Sequence, residues 1–292
     1  MEKLPIHIKF NNQQNPNSEF DILQLEDLFK REDLDNSIRE LQIVEFYMIV
    51  LVQQDSGKHT IDFTDYDYQK GTLLTIRKDQ IHKFHVNENV KGNLLLFTDN
   101  FLVTYLEEIE NQKTIQLFNE LLGNPKIQLT EKELNDINEI ILKIQNEYLS
   151  ISDSYSLSII RSLLHILITQ LYRIKSKNNQ IVKNKKYLND FILLQKLVEK
   201  SVIKHSKVNY YAQEMGISTK TLNTITKSIV NQSAKKFIDN IYIKQIKRLL
   251  LNTEYPIKKV AYLSGFEEST NFYKYFKRKT NLSPDLFRSK NK

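Results

Sequence analysis

The chain has 292 residues, 40% of them hydrophobic and 26% charged, with 15 Phe, 15 Tyr, 6 Gly, 5 Pro and no Cys. It exceeds the ~100–200 residues usual for one domain, so two domains are expected. The composition excludes collagen-like, low-complexity and wholly disordered chains, and the missing cysteine excludes disulfides, cysteine-ligated zinc, iron–sulfur clusters and thiol nucleophiles. The formal net charge of +7 conceals an asymmetry: residues 181–292 carry 23 Lys and Arg against 8 Asp and Glu, whereas residues 1–180 carry 19 against 27. The basic part is the one suited to a polyanion. The opening MEKLPIHIKFNN has no apolar core, so no secretory signal is expected. The longest unbroken apolar run, Phe46 to Val52, is far short of the ~20 residues that span a bilayer. A cytoplasmic protein without a membrane partner is the expectation.

Residues 1–18 are polar and read as a flexible arm. From Phe20 to about Phe101 the pattern is strand-like. Ile38 to Val52 is β-branched and aromatic, and too long for one strand unless it bends. Asp55-Ser56-Gly57 reads as a turn, Lys58 to Phe63 as a strand, and Asp65-Tyr66-Asp67 as a connection. Further strands are expected at Thr72 to Arg77, Ile81 to Val86 and Asn93 to Thr98, which together make a small β-sandwich or barrel. The period then becomes helical. One or two helices are read over Leu102 to Leu122. Thr130 with Glu133 forms a capping box that opens the next helix. Ser152 or Asp153 caps another, and the broad apolar faces of these two helices suit both core packing and a homodimer. Lys175 to Lys186 is polar and basic, the best linker.

Residues 187–292 read as nearly all helix, with an internal repeat. Ala212-Gln213-Glu214-Met215-Gly216-Ile217 matches Ala261-Tyr262-Leu263-Ser264-Gly265-Phe266, and further on Lys227, Asn231, Ser233 and Phe237 match Lys277, Asn281, Ser283 and Phe287. Each copy has the chemistry of a helix-turn-helix. An Ala permits close helix crossing, a Gly suits the sharp turn, and an apolar residue plugs the corner. The second helices carry apolar inner stripes: Leu222, Ile225 and Ile229, then Phe272, Tyr275 and Phe276. Their other faces are polar and basic: Lys220, Asn223, Thr224 and Lys227, then Thr270, Asn271, Lys274 and Lys277. Such groups reach base edges and phosphates. The bland reading of the pair is a duplicated helical interaction module with a solvated basic face.

The stretches Ile257 to Phe266, Asn271 to Arg278 and Asn281 to Pro284 resemble the signature of the AraC/XylS family of bacterial transcription regulators. The resemblance covers about residues 187–290. It implies two helix-turn-helix units joined by a central helix, here Ser233 to Asn252. It implies that Lys220, Asn223 and Thr224 face bases in one major-groove segment and Thr270, Asn271 and Lys274 in the next, about 34 Å along double-stranded DNA. Thr224 and Thr226 stand where family members often carry Arg and Phe. Gly71 to Arg77 with Gln80 to Phe84 is similar to the cupin-type sensory barrel of many members, and the two following helices to their dimerisation region.

A metal-binding cupin needs clustered His and carboxylate ligands. His82 and His85, three apart on a strand, point to opposite faces, and His59 has no His two residues on. His82 is read as a rim residue ahead of a cavity-lining one. No serine triad, phosphate loop or paired carboxylates stand out. The fold expected is α+β: a cupin-like barrel with helices over residues 1–178 (strands about 19–101, helices about 102–177), a linker at 179–186, and an all-α DNA-binding domain at 187–292. The function expected is sequence-specific, effector-responsive transcription regulation, by activation or repression. It involves no cofactor, metal or catalytic residue, and its partners are DNA, a small molecule, a second copy and RNA polymerase. Phe46, Arg77 and His82 are the effector-pocket candidates. The alternative is a metal-dependent cupin enzyme tethered to a nucleic-acid-binding domain.

Overall fold

A computed structural model of the chain describes residues 6–12, 15, 18–31, 37–102, 113–114, 116–119, 122, 124–150, 153, 155–177, 185–200 and 207–291. The chain divides near residue 181 into two compact units.

The first unit contains strands β1 (Ile6–Ile8), β2 (Phe20–Gln24), β3 (Gln42–Val44), β4 (Tyr47–Gln54), β5 (Gly57–Ile61), β6 (Thr64–Tyr68), β7 (Thr72–Ile76), β8 (Ile81–Phe84), β9 (Lys91–Phe97) and β10 (Lys126–Gln128). Helix α1 (Leu25–Lys30) follows β2, and α2 (Glu131–Leu149) and α3 (Ser156–Lys177) follow the strands. One sheet has the order β1-β3-β8-β5-β6 and the other β10-β7-β4-β9-β2. The apolar segment from Ile38 to Val52 does bend: it breaks at Glu45-Phe46, so β3 lies in one sheet and β4 in the other. Side chains alternate along β4. Met48, Val50 and Val52 face the opposing sheet, with Val44, Ile61, Leu74, Ile76 and Phe84. Tyr47, Ile49 and Leu51 face α2 and α3, with Ile137, Ile141, Ile144, Leu164 and Leu167. Two cores therefore meet at this strand, which is why it is apolar on both faces.

Three strands escape the sequence reading. β1 lies in the segment read as a flexible arm and pairs in parallel with β3, Ile6 opposite Gln42. β6 occupies the segment read as a connection. Asp62 (φ 44°) and Phe63 (φ 67°) make a two-residue turn that pairs Ile61 with Thr64 and folds β6 back on β5. Two successive positive φ angles are the geometry usually signalled by Asn-Gly or Asp-Gly, and a Phe at the second position hides it. β10 is three residues long and pairs with β7.

The capping box behaves as expected. Thr130 Oγ1 accepts from the Glu133 N–H (3.3 Å), and Glu133 accepts from the Thr130 N–H (3.0 Å). Asp153 accepts from the backbone of Tyr155 and Ser156 and opens α3. Most of the helical segment read over Leu102 to Leu122 lies outside the described residues. Lys175, placed at the start of the linker by the sequence reading, is instead buried in the last turns of α3, where its Nζ donates to the Leu117 carbonyl (2.8 Å). Desolvation lowers its pKa to about 8. Among the described residues α3 is long and apolar enough to cross a membrane, but its apolar stripe packs on α2 and the sheet.

The second unit is helical: α4 (Leu188–Lys200), α5 (Val208–Glu214), α6 (Thr219–Val230), α7 (Ala234–Asn252), α8 (Ile257–Leu263), α9 (Ser269–Thr280) and α10 (Pro284–Asn291). The long α7 is the connector. Ser233 caps its start by accepting from the Lys236 N–H (3.3 Å). Phe237 packs on Phe191 of α4, ring centres 4.7 Å apart.

Candidate nucleic-acid interface and barrel interior

The duplication is present in the backbone. Gly216 (φ 64°) and Gly265 (φ 73°) are both left-handed. The following amides close the same bond in each copy, Ile217 N–H to the Ala212 carbonyl (2.9 Å) and Phe266 N–H to the Ala261 carbonyl (3.0 Å). This is the closure that a left-handed residue allows at a helix end. Ala212 and Ala261 are buried at the crossing. Asn231 (φ 51°) and Asn281 (φ 60°) then end α6 and α9 in matching left-handed caps.

Inside, the copies differ. Leu222, Ile225 and Thr226 are buried in α6, and Phe272 and Phe276 in α9. Thr226 occupies the position of Phe276 and bonds its hydroxyl back to the Leu222 carbonyl (3.3 Å). Ile229 and Tyr275, read as inner-stripe residues, are half-buried at its edge. Among the contacts that tie α7 to the second copy, Tyr242 Oη donates to the Ser264 carbonyl, and Asp239 is bridged by Lys235 (2.8 Å) and by Lys279 of α9 (2.9 Å).

Outside, Lys220, Thr224 and Lys227 of α6 and Thr270, Asn271, Lys274 and Lys277 of α9 are all exposed. Asn223 differs. It is half-buried, and its Oδ1 accepts from the Ala234 N–H at the first turn of α7 (3.0 Å). Thr221, exposed in the first turn of α6, matches Asn271 in the repeat and lies outside the base-facing set that the resemblance implies for this helix. Ser218 caps α6, accepting from the Thr221 N–H (3.0 Å), whereas Glu268 at the matching position makes no side-chain cap.

In the barrel, Phe46 and His82 lie between the sheets. Arg77 does not join them. It follows Ile76, whose side chain points inward, so by alternation Arg77 points outward, where its charge acts on Tyr47. His82 is fully buried, not a rim residue, and has a companion the sequence reading set aside. His59 (1% exposed) and His82 (0%) stack with ring centres 5.3 Å apart and planes within 4°. The β5–β8 register makes the pair, with His59 opposite Phe84 and Ile61 opposite His82 on one inward face. Both imidazoles meet the Phe84 ring edge-on. Desolvation holds His82 down to about 3, and desolvation, then the nearby His82 and His85, holds His59 well below the ordinary range. Neither nitrogen of His82, nor Nε2 of His59, has a hydrogen-bond partner. His85 is on the outer face, its Nε2 2.8 Å from Thr60 Oγ1. Among the described residues no three His, Asp or Glu side chains converge as a metal site requires.

A pair of helix-turn-helix units with exposed polar and basic second helices defines a DNA-binding protein, here joined in one chain to a two-sheet barrel. Family models agree: an AraC-like ligand binding domain matches residues 30–170 and a helix-turn-helix domain residues 211–290. The chain belongs to the AraC/XylS family and is a DNA-binding transcription regulator with a ligand-binding type of barrel. It is 22% identical over 252 residues to the transcriptional activator RhaR of Enterobacter, covering 85% of this chain and 86% of that one. It is 19% identical over 240 residues to the activator RhaS of Escherichia coli, covering 82% and 84%. Among solved structures ToxT of Vibrio cholerae is similar, with 13% identity, a TM-score of 0.44, and coverage of 93% of this chain and 98% of that one.

Proposed function

We propose that α6 and α9 enter two adjacent major-groove segments of one duplex. Lys220 and Thr224 of α6, and Thr270, Asn271 and Lys274 of α9, meet base edges, while Lys227 and Lys277 meet phosphates. The observation that carries this reading is the repeated, outward-facing polar and basic stripe on two helices held by the same turn. Two helices on one connector need grooves about one helical turn apart, so the site is about two turns long. Selection of bound duplexes from a random pool by the full chain tests this. It should enrich two short motifs about 10 base pairs apart, with affinity falling steeply as salt rises. Enrichment of none, or salt-independent binding, overturns it.

Both named relatives are activators, which favours activation, with RNA polymerase as the partner of the bound protein. The protein acts in the cytoplasm and catalyses no reaction. The barrel interior receives the effector. His59 and His82 supply its polar contacts, since three buried nitrogens without partners each cost about 1–3 kcal/mol until something satisfies them. A metabolite thermal-shift screen should find compounds that stabilise wild type and not His82→Ala.

The homodimer runs through α2 and α3. Ile141 and Leu164 are buried against the barrel and are unsuited to it, while Leu142 (56% exposed), Leu149 (82%), Ile159 (44%) and Ile166 (48%) form outward apolar rows. Leu142→Glu with Ile166→Glu should give a folded monomer in sedimentation. A wild-type monomer at tens of micromolar removes this part.

A further inference from the structure

The two recognition helices use one edge to hold and the other to read. On a helix of 3.6 residues per turn, Lys220, Thr224 and Lys227 centre the exposed face of α6, and positions 221 and 223 flank that centre from opposite sides. The matching flanks of α9 are Asn271 and Tyr273. In both copies the 223/273 edge is half-buried and bonded to the first turn of the helix that follows. Asn223 Oδ1 accepts from the Ala234 N–H of α7 (3.0 Å), and Tyr273 Oη donates to Asp285 of α10 (2.6 Å). Different chemistry at the same position makes the same attachment. In both copies the 221/271 edge is exposed, one turn from the helix start. The Thr221 backbone is fixed by the Ser218 cap, and its hydroxyl lies 2.8 Å from Ser218 Oγ, while the residue as a whole stays exposed.

We infer that Thr221 is a specificity-determining residue of the first recognition helix, and that Asn223 is a positioning residue that orients this helix on the connector. The inference rests on the DNA-reading function proposed above. A Thr offers a base edge one hydroxyl and one methyl, the latter suited to a thymine methyl, whereas Asn at the matching position of α9 pairs with adenine. The two half-sites are therefore read differently at the base pair that this position meets.

The test is duplex selection from a random pool with the full chain, run for wild type, Thr221→Asn, Asn223→Ala and Asn223→Asp, with a melting curve for each. Thr221→Asn should change the preferred base at one or two adjacent pairs of one motif by about fivefold or more and leave the melting temperature unchanged. Asn223→Ala should lower the melting temperature and weaken binding to every sequence in the same proportion. Asn223→Asp keeps an acceptor for the Ala234 N–H but loses the donor to the Thr219 carbonyl, so it should recover part of the melting temperature without creating a new base preference. If wild type enriches a motif that Thr221→Asn leaves unaltered, or if Asn223→Ala relaxes preference at one pair, the assignment is overturned alone. If wild type enriches no motif, the DNA-reading function fails and the assignment with it.

Discussion

The two helix-turn-helix copies share a skeleton and little else. Their glycines, their closing hydrogen bonds and their left-handed Asn caps superpose in kind, yet one interior is aliphatic with a buried threonine and the other is aromatic. In the second, Phe266 packs against both Phe272 and Tyr275, and Phe276 meets Phe287 with ring centres 5.4 Å apart. The outer faces diverge as well: α9 ends in Lys277, Arg278 and Lys279, whereas α6 has only Lys227 in its last turn. What duplication has kept is backbone geometry, because presentation of a helix to a groove depends on it. What it has released is side-chain chemistry, because two grooves with different sequences need different contacts. The second copy is the better anchored and the more cationic.

The strongest test of that asymmetry is in the cores. Phe276→Ala should destabilise the second unit by about 3–5 kcal/mol, the usual cost of an aromatic deletion. Thr226→Ala at the matching position should cost about 1 kcal/mol, since little apolar volume is lost. Denaturant unfolding of the full chain measures both, and equal costs would erase the difference between the copies. Next in size are the contacts. Asn271→Ala and Lys274→Ala should each weaken binding to a selected site by about 1–3 kcal/mol, while Lys277→Ala should weaken all sequences alike and reduce the salt slope by about 1. Quantitative binding across salt concentrations separates the two behaviours.

The shared geometry has its own test. A Cβ on Gly216 would meet nothing within 4 Å, so Gly216→Ala pays only for its positive φ, about 1–2 kcal/mol. Gly265→Ala should cost at least as much, and a cost at one copy only would contradict a common turn. A last contrast, between the copies and the barrel, is one of pH. Residues 207–231 and 257–281 contain no histidine, so neither copy should respond between pH 7 and 5. The barrel should. His82 and His59 titrate below the ordinary 6.5 when folded, so above pH 6.5 both states are neutral and the pair has no effect. As pH falls below 6.5 the unfolded chain takes up protons that the folded barrel refuses, and stability is lost by up to about 1.4 kcal/mol per pH unit for each histidine. His82→Gln should flatten that slope in melting curves, while DNA affinity of the second unit stays level.

Much of the second unit was legible in the sequence, because its signals are local. An Ala, a Gly four residues on and a repeat offset fix helix, turn and copy without reference to distant residues, and the Thr130–Glu133 box was equally self-contained. What the sequence hides is the part of the structure that depends on pairing across the chain. His82 was compared along its own strand with His85, correctly placed on opposite faces, whereas its partner His59 is a neighbour only through the β5–β8 register. β6 was missed because Asp-Phe replaces the usual turn residues. Asn223 and Asn271 share a chemistry but not a repeat position: the offset matches Asn271 with Thr221, and the bond from Ala234 shows what the Asn223 edge does instead. Arg77 looked like a ligand contact by residue type, and a single step of strand alternation puts it on the other side of the sheet.

Strand β4 has a consequence for genetics. Its even-numbered residues, Met48, Val50 and Val52, border the space that holds the two imidazoles, and its odd-numbered residues, Tyr47, Ile49 and Leu51, border the helical hairpin. Parity along six successive apolar positions thus sorts substitutions into two phenotypes. A void at Val50 loosens the packing between the two sheets, and a void one residue earlier, at Ile49, loosens the seat of the helices. Since the same backbone carries both, a molecule that displaces an even-numbered side chain presses on the hairpin through the thickness of a single strand.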